Sequence, residues 1–402
     1  MIGDISYKNY RKKSDIHGSV LYPAVMVAPV QKKILQNLIE IDEIGCIFDP
    51  FHGSGTSLYE AMEISKDICL IGCDINPLAN LITKVKLQGV SSDIEKDINK
   101  LKRIINLNSN EKLHYFDNIE KWFRKDVQES LSVLRNAIIS IENIQNRLFF
   151  WYIMCDIIRK YSNTRSSTYK LHIKDTKVIN SMDNKVIDDY LSSVEKNYFR
   201  FDKSSNEIKL FKCDILEKIN FFEDRSIDVV ITSPPYGDNG TTVTYGQFSI
   251  LALKWIDEKD LELEGWELDN FSIIDRKSMG GSAKEVNFDN YEIELIKPYI
   301  NKISNKKQNK VIRFFNDYFK FLRGIVRITN KYIVMTLGNR TVDGVNIDLT
   351  KITQMFLEKN KYTKKEIMER EIPSKRIPKK TSKVNNKPVN SMSKEYVIIY
   401  GR

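Results

Sequence analysis

Apolar residues alternate between two spacings along this chain. Short, nearly unbroken runs such as "GCIFD", "ICLIGCD", "SIDVVITSPP" and "KYIVMTLGN" are separated by longer stretches in which apolar residues recur three or four positions apart. The unbroken runs suit strands covered on both faces of a sheet, and the wider spacing suits helices packed through one side. From Ile44 to Lys86 the order is strand, glycine turn, helix, strand, helix. Cys46 to Phe48 ends in Asp49-Pro50, Gly53 and Gly55 follow, Leu58, Ala61, Met62 and Ile64 keep helical spacing, and Ile68 to Cys73 is apolar almost throughout. This is a βαβ unit.

The pattern then changes. No glycine occurs between Gly89 and Gly237, and "HYFDNIEKWFRKDV" and "NRLFFWYIMCDIIRKY" read as amphipathic helices, so residues 91–206 are expected to be a helical insertion. Alternation returns with strands in "IKLFKCDIL" and "SIDVVITSPP", a helix over "VIRFFNDYFKFLRGIVRIT" and a strand in "KYIVMTLGN". A helix over "DLTKITQMFLEKN" and strands around "KKEIMEREI" and "KEYVIIYG" complete the chain. The polar, basic "IPSKRIPKKTSKVNNKPVNSM" between those last two strands reads as an exposed loop. Strands alternating with helices imply a doubly wound α/β sheet, whose ligands collect at the carboxyl ends of its strands. Asp49, Asp74, Asp214 and Ser233 all fall at such ends.

Composition narrows the class. The chain has 402 residues, 42% hydrophobic and 29% charged, enough for a sizeable core. No N-terminal segment resembles a signal peptide and no stretch approaches the roughly 18 apolar residues of a membrane span, so a cytoplasmic protein without a membrane partner is expected. The five cysteines are scattered, several within apolar runs, and read as reduced core residues; with only four histidines no metal site is expected. A net charge of +10 suits a polyanionic partner, although charge alone does not select DNA over RNA or lipid.

Two stretches carry chemistry. In "DPFHGSGTS" the glycines allow a sharp turn and close approach of a ligand, and amides opening the next helix favour a carboxylate or phosphate. A nucleoside-triphosphate loop is disfavoured because the Gly-Lys-Ser/Thr ending is missing. Asp74, after the second strand, can accept both hydroxyls of a ribose, and Asp214, after the third, can accept from an adenine amine; taken alone, each such Asp is more often the cap of the helix that follows. Together they outline an adenosine-shaped site. In "TSPPY" Pro234 and Pro235 fix φ and remove two donors, so nearby carbonyls stay rigid and free. Ser233 and the Pro234 carbonyl then form an acceptor pair for an exocyclic NH₂, and Tyr236 offers a flat face to a planar base.

The combination resembles the S-adenosylmethionine-dependent DNA amino-methyltransferases, which methylate cytosine N4 or adenine N6 and often accompany restriction endonucleases. "FDPFHGSGTSLYEA" is similar to their cofactor motif, "GCDINPLA" to the acidic ribose motif, "TSPPY" to the catalytic motif. "VLYPAVMVAPVQKKIL", "IPSKRIP" and "SMSKEYVIIY" are similar to segments of one branch. The likeness covers residues about 17–90 and 208–400 and leaves the insertion unmatched. It implies a Rossmann-like class I methyltransferase sheet, with residues 1–90 the N-terminal segment and cofactor-binding half, 91–206 a helical insertion and candidate DNA-recognition region, and 207–402 the catalytic half.

By this resemblance Asp49, Gly53, Gly55 and Thr56 hold the methionine end of S-adenosylmethionine, Asp74 the ribose and Asp214 the adenine. Tyr22 closes the methionine pocket, and Phe51 and Ile75 complete the cofactor set. His52 stands where a small residue is usual, which implies a wider turn or an imidazole pointing away. Ser233, Pro234, Pro235 and Tyr236 are the implied catalytic residues. Ser before Pro-Pro implies cytosine N4, with adenine N6 as the alternative and a catalytically silent nucleic-acid-binding protein as the rival of another class. Carbon-5 methylation needs a cysteine nucleophile, generally after proline, and the chain has no Pro-Cys pair. The implied reaction is direct displacement by the amine of a base flipped out of double-stranded DNA, with a cognate restriction endonuclease as a further partner. The insertion and "RKSMGGSAKEVNF", Arg276 to Phe288, are candidates for reading sequence, and a packed helical lid is the alternative for the insertion.

Overall fold

The computed structural model describes residues 5, 7, 9–12, 15–107, 113–237, 243–263, 272–280, 285–371, 380–384, 387–390 and 394–402. Eleven strands are assigned among them. They are β1 Cys46–Asp49, β2 Cys69–Cys73, β3 Ile208–Phe211, β4 Ile227–Thr232, β5 Thr329–Leu337, β6 Arg340–Val342, β7 Val345–Ile347, β8 Thr363–Glu371, β9 Lys380–Val384, β10 Lys387–Asn390 and β11 Lys394–Gly401. The helices of the first half are α1 Ala28–Ile41, α2 Thr56–Ile64, α3 Pro77–Gln88, α4 Ile94–Leu107, α5 Ile119–Trp122, α6 Lys125–Ile139, α7 Ile144–Tyr161, α8 Thr176–Asn180 and α9 Val186–Asn197. Those of the second half are α10 Ile215–Lys218, α11 Tyr245–Trp255, α12 Ser272–Lys277, α13 Asn290–Ile300, α14 Asn305–Ile328 and α15 Leu349–Lys359.

Seven strands form the central sheet in the order β3-β2-β1-β4-β5-β11-β8. The pairs from β3 through β5 are parallel, and β11 runs antiparallel to both β5 and β8. This is the expected α/β, Rossmann-like architecture. The apolar runs behave as strands buried on both faces because successive side chains alternate sides. Ile47, Leu70, Val229, Val334 and Val397 pack with α1 and α2, whereas Phe48, Ile71, Val230, Ile333 and Ile398 pack with α14 and α15. The order doubles back at β1 and β4: β2 and β3 lie to one side, β5 to the other. Such a reversal leaves a crevice at the carboxyl ends of the two central strands.

Helices α4 to α9 fill the stretch expected to be helical, and the apolar sides of α4 to α7 and α9 form one core with α3 and α11. Trp151, Tyr152 and Phe149 of α7 are fully buried there. Two features escaped the sequence reading. The hairpin β6–β7 follows β5 directly, and β9 pairs antiparallel with β10 inside the stretch expected to be a loop. Thr381, Val384 and Val389 supply the β-branched residues that favour strands there despite the surrounding lysines. The other residues of that stretch, 372–379, 385–386 and 391–392, lie outside the described residues, as do 238–242 after the Ser-Pro-Pro-Tyr turn and 281–284 of the Arg276–Phe288 stretch. Among the described residues no helix is long and apolar enough to cross a membrane.

Candidate active site

The crevice is built from the ends of four adjacent strands, with Asp214 just past β3, Asp74 after β2, Asp49 closing β1 and Ser233 after β4. Gly53 and Gly55 take positive φ of 52° and 73°, a region other residues enter only with strain. Gly55 is also sterically required, since a Cβ there would stand 2.7 Å from the Thr83 side chain of α3. Gly53 lies beneath Tyr22, whose Cε1 would be 3.6 Å from an added Cβ. The turn is held against the next strand by Asp74, whose Oδ2 accepts from the Gly53 amide at 2.9 Å and whose Oδ1 accepts from the Asn76 amide at 2.8 Å. Each carboxylate oxygen keeps a second lone pair.

Asp49 is fully buried. Its Oδ1 accepts from the Thr232 hydroxyl at 2.7 Å and from the Phe51 amide at 3.1 Å, while Oδ2 has no hydrogen-bond partner among the described residues. Burial pushes its pKa up to about 7, and the neighbouring Asp74 adds in the same direction. Asp74 is raised as well, chiefly by burial, with His52 opposing. A few residues on, the Thr56 hydroxyl at the start of α2 is also buried without a partner. Buried polar atoms in native proteins are nearly always satisfied, so this pair of orphans marks a place for a ligand group. An unpartnered carboxylate oxygen and an unpartnered hydroxyl at the two ends of the glycine turn suit an ammonium-carboxylate group such as that of S-adenosylmethionine, and the residues present fit that cofactor.

His52 answers the question raised by its size. The imidazole turns to α3, with Nδ1 at 3.1 Å from Thr83 Oγ1 and Nε2 at 3.3 Å from Asn80 Oδ1. Gly72 makes the room, since a Cβ there would lie 2.7 Å from His52 Cδ2. Burial lowers the His52 pKa, with Asp74 opposing. Tyr22 covers the turn from the other side. Its hydroxyl accepts from Asn76 Nδ2 at 3.1 Å, and its ring stands 5.9 Å from both Tyr245 and Phe248 of α11. Phe51 packs edge-on to Phe321 of α14 at 5.0 Å, and Ile75 is half-buried between Asp74 and the N-cap of α3. Asp214 caps α10, its Oδ1 accepting from the Leu216 amide at 2.9 Å.

Beyond β4, the Ser233 hydroxyl lies 3.1 Å from the Tyr236 hydroxyl, which donates to Glu395 Oε1 on β11 at 3.3 Å. Arg370 of β8 holds the other Glu395 oxygen at 2.5 Å. Pro234 is buried and Pro235 half-buried, and Tyr236 lines a small cavity with Val311, Phe314, Phe315 and Arg340.

Several residues that organise this crevice were not singled out from sequence. Asn76 caps α3 and also donates to Ser249 Oγ of α11 at 2.8 Å, joining the two halves of the chain. Its signal was an Asn directly before a proline at a helix start. Lys86 is buried on α3 and donates to the Ser54 carbonyl at 2.8 Å, supporting the glycine turn from behind; burial takes its pKa down to about 7. Nothing in the spacing distinguishes it from a surface lysine. Glu395 also gave no signal. All five cysteines are unbridged, although the sulfurs of Cys73 and Cys213 approach to 3.7 Å across β2 and β3.

The chain is 29% identical over 388 residues to the Type II methyltransferase M.MvaI of Kocuria varians, covering 88% of this chain and 84% of that protein. It is 38% identical over 90 residues to the Type II methyltransferase M.MjaII of Methanocaldococcus jannaschii, covering 22% of this chain and 15% of that one. No protein-family profile matches. The similarity supports a DNA methyltransferase of restriction-modification type.

Proposed function

We propose that this chain transfers a methyl group from S-adenosylmethionine to an exocyclic amine of a base in double-stranded DNA, and that the amine is cytosine N4. The observation that carries the reading is the 2.7 Å hydrogen bond from Thr232 to Asp49. It ties the turn suited to a cofactor to the strand whose next residue is Ser233, so a methyl donor and an amine acceptor share one crevice.

When bound, S-adenosylmethionine would supply an electrophilic methyl group on a sulfonium. Asp49 and Thr56 receive its amino-acid end, Gly53 and Gly55 let the backbone approach, and Tyr22 covers that end. Asp74 accepts from the ribose hydroxyls, Asp214 serves the adenine, and Phe51 and Ile75 supply apolar walls. An amine inside a duplex cannot reach this crevice, so the target base is everted into it. Ser233 and the Pro234 carbonyl accept the two amine protons, which favours a pyramidal nitrogen with its lone pair available, and Pro235 keeps the turn rigid. Tyr236 offers its ring to the base.

The hydroxyl of Tyr236 gives Ser233 a direction. If Ser233 donates to Tyr236 and Tyr236 donates to Glu395, the lone pairs of Ser233 are left for the amine. Once the new bond has formed the nitrogen is acidic, and its proton can pass to Ser233 as the serine and tyrosine protons each move one place, ending on Glu395. Solvent is the competing acceptor.

The choice of N4 rests on Ser233 in place of Asp or Asn. Incubating the protein with tritiated S-adenosylmethionine and unmodified genomic DNA, then digesting to nucleosides, tests it. N4-methyldeoxycytidine is expected. N6-methyldeoxyadenosine would transfer the reading to adenine, and no labelled nucleoside together with no cofactor binding by calorimetry would leave a silent nucleic-acid-binding protein. Sequencing DNA from expressing cells with a method sensitive to modified bases would give the recognition site.

A further inference from the structure

Residues 163–174 leave the end of α7 and return as a finger. Thr164 pairs antiparallel with Ile173, the Arg165 amide donates to the His172 carbonyl at 2.8 Å, and the Lys174 amide donates to the Asn163 carbonyl at 2.7 Å. The base is anchored by buried Asn163, whose amide donates to the Trp122 carbonyl at 2.6 Å. Its far end rests on α11: the Leu171 amide donates to Gln247 Oε1 at 3.1 Å, and the Tyr169 ring meets Phe248 at 5.8 Å. Arg159 braces the contact, with its guanidinium 4.6 Å over the Phe248 ring and a hydrogen bond to the Thr168 carbonyl. Phe248 in turn touches Tyr22, which covers Gly53. The finger therefore stands two ring contacts from the glycine turn.

Its charge is one-sided. From Arg159 to Lys174 there are five Lys and Arg and no acidic residue. Among the helices α4 to α9 Lys100, Lys102, Arg124, Arg135 and Arg147 each pair with a carboxylate, and within the stretch itself Lys160 pairs with Asp189. Arg165 and Lys170 are exposed and make no ion pair among the described residues. Unmatched cations held rigidly beside a crevice fit a polyanion whose reacting group enters that crevice, and the regular phosphates of a duplex fit a stiff projecting hairpin.

We propose that this finger grips the phosphate backbone of duplex DNA beside the everted base, through Arg165 and Lys170. The proposal rests on the DNA-methyltransferase reading and names which surface of the insertion carries the DNA. Both side chains are exposed, so their replacement should leave the fold intact. Each phosphate contact contributes about 0.9 to the slope of log affinity against log salt. The R165A/K170A double variant should therefore show a slope shallower by about 1.8 on a mixed-sequence duplex of about 40 base pairs, and roughly 60-fold weaker binding near 0.1 M salt. With unmodified genomic DNA its KM should rise while kcat and cofactor affinity stay unchanged. The R165K/K170R variant should restore slope and affinity.

An unchanged slope and affinity in R165A/K170A, with wild type methylating DNA, would overturn the proposal. So would a loss confined to a structured RNA hairpin, which would reassign the finger to RNA. If wild type neither binds cofactor nor transfers methyl groups, the methyltransferase reading fails, and the slope difference between wild type and variant on the duplex still decides the finger.

Discussion

Replacing Asp49 with Asn should separate stability from binding. The Asp49 pKa is pushed up to about 7, with burial the main cause and Oδ2 without a partner among the described residues. A carboxyl whose folded pKa lies above its ordinary value near 3.9 stabilises the fold fully below about pH 4 and loses that contribution as pH rises through about 7. A shift of about three units corresponds to a cost of about 4 kcal/mol at pH 8. The amide avoids ionisation but leaves its own NH₂ unsatisfied, at about 1–3 kcal/mol. The variant should thus unfold at higher denaturant than wild type at pH 8, by about 1–3 kcal/mol, and lose that advantage at pH 5.

Cofactor binding should run the opposite way. An ammonium against Oδ2 returns the Asp49 pKa to its ordinary range, so wild-type affinity for S-adenosylmethionine should fall about 15-fold, about 1.6 kcal/mol, from pH 7 to pH 5.5. Titration calorimetry over this window stays below the pKa of the ligand's own amine, near 7.7–8.0. The Asn variant should bind weakly, with a pH slope reduced by one proton. Wild-type affinity and slope in the variant would refute the assignment of Asp49 to the cationic end. Equal destabilisation at pH 8 and pH 5 would refute the ionisation argument.

Ser233→Ala should bind cofactor nearly as wild type yet lose about 100-fold or more in kcat, read by tritiated methyl transfer; unaltered turnover would remove Ser233 from the mechanism. Glu395→Gln should lower kcat about 10-fold at constant cofactor KM, and Tyr236→Phe should do the same, because each interrupts the path from Ser233 to the carboxylate. Unaltered kcat in either variant would remove Glu395 from that path. Gly55→Ala, forced into positive φ and against Thr83, should cost about 1–3 kcal/mol in a denaturant titration.

Local pattern determined much of this protein. The unbroken apolar runs ending in Asp49, Cys73 and Thr232 could only be strands covered on both faces, and Gly53 and Gly55 announced a turn needing positive φ, because these are properties of consecutive residues. The same locality explains the failures: the basic stretch holding β9 and β10 read as loop because lysines hid its β-branched positions, and β6–β7 was too short to register. Partnership across the fold was decided by tertiary structure alone. Thr232 meets Asp49 because β4 pairs with β1 across an intervening 177 residues, between Asp49 and Ile227, and Glu395 reaches Tyr236 because β11 inserts antiparallel between β5 and β8. Lys86 turns inward under Ser54, and His52 turns away over Gly72. Side-chain direction and burial depend on what packs opposite, and no spacing along the chain encodes that.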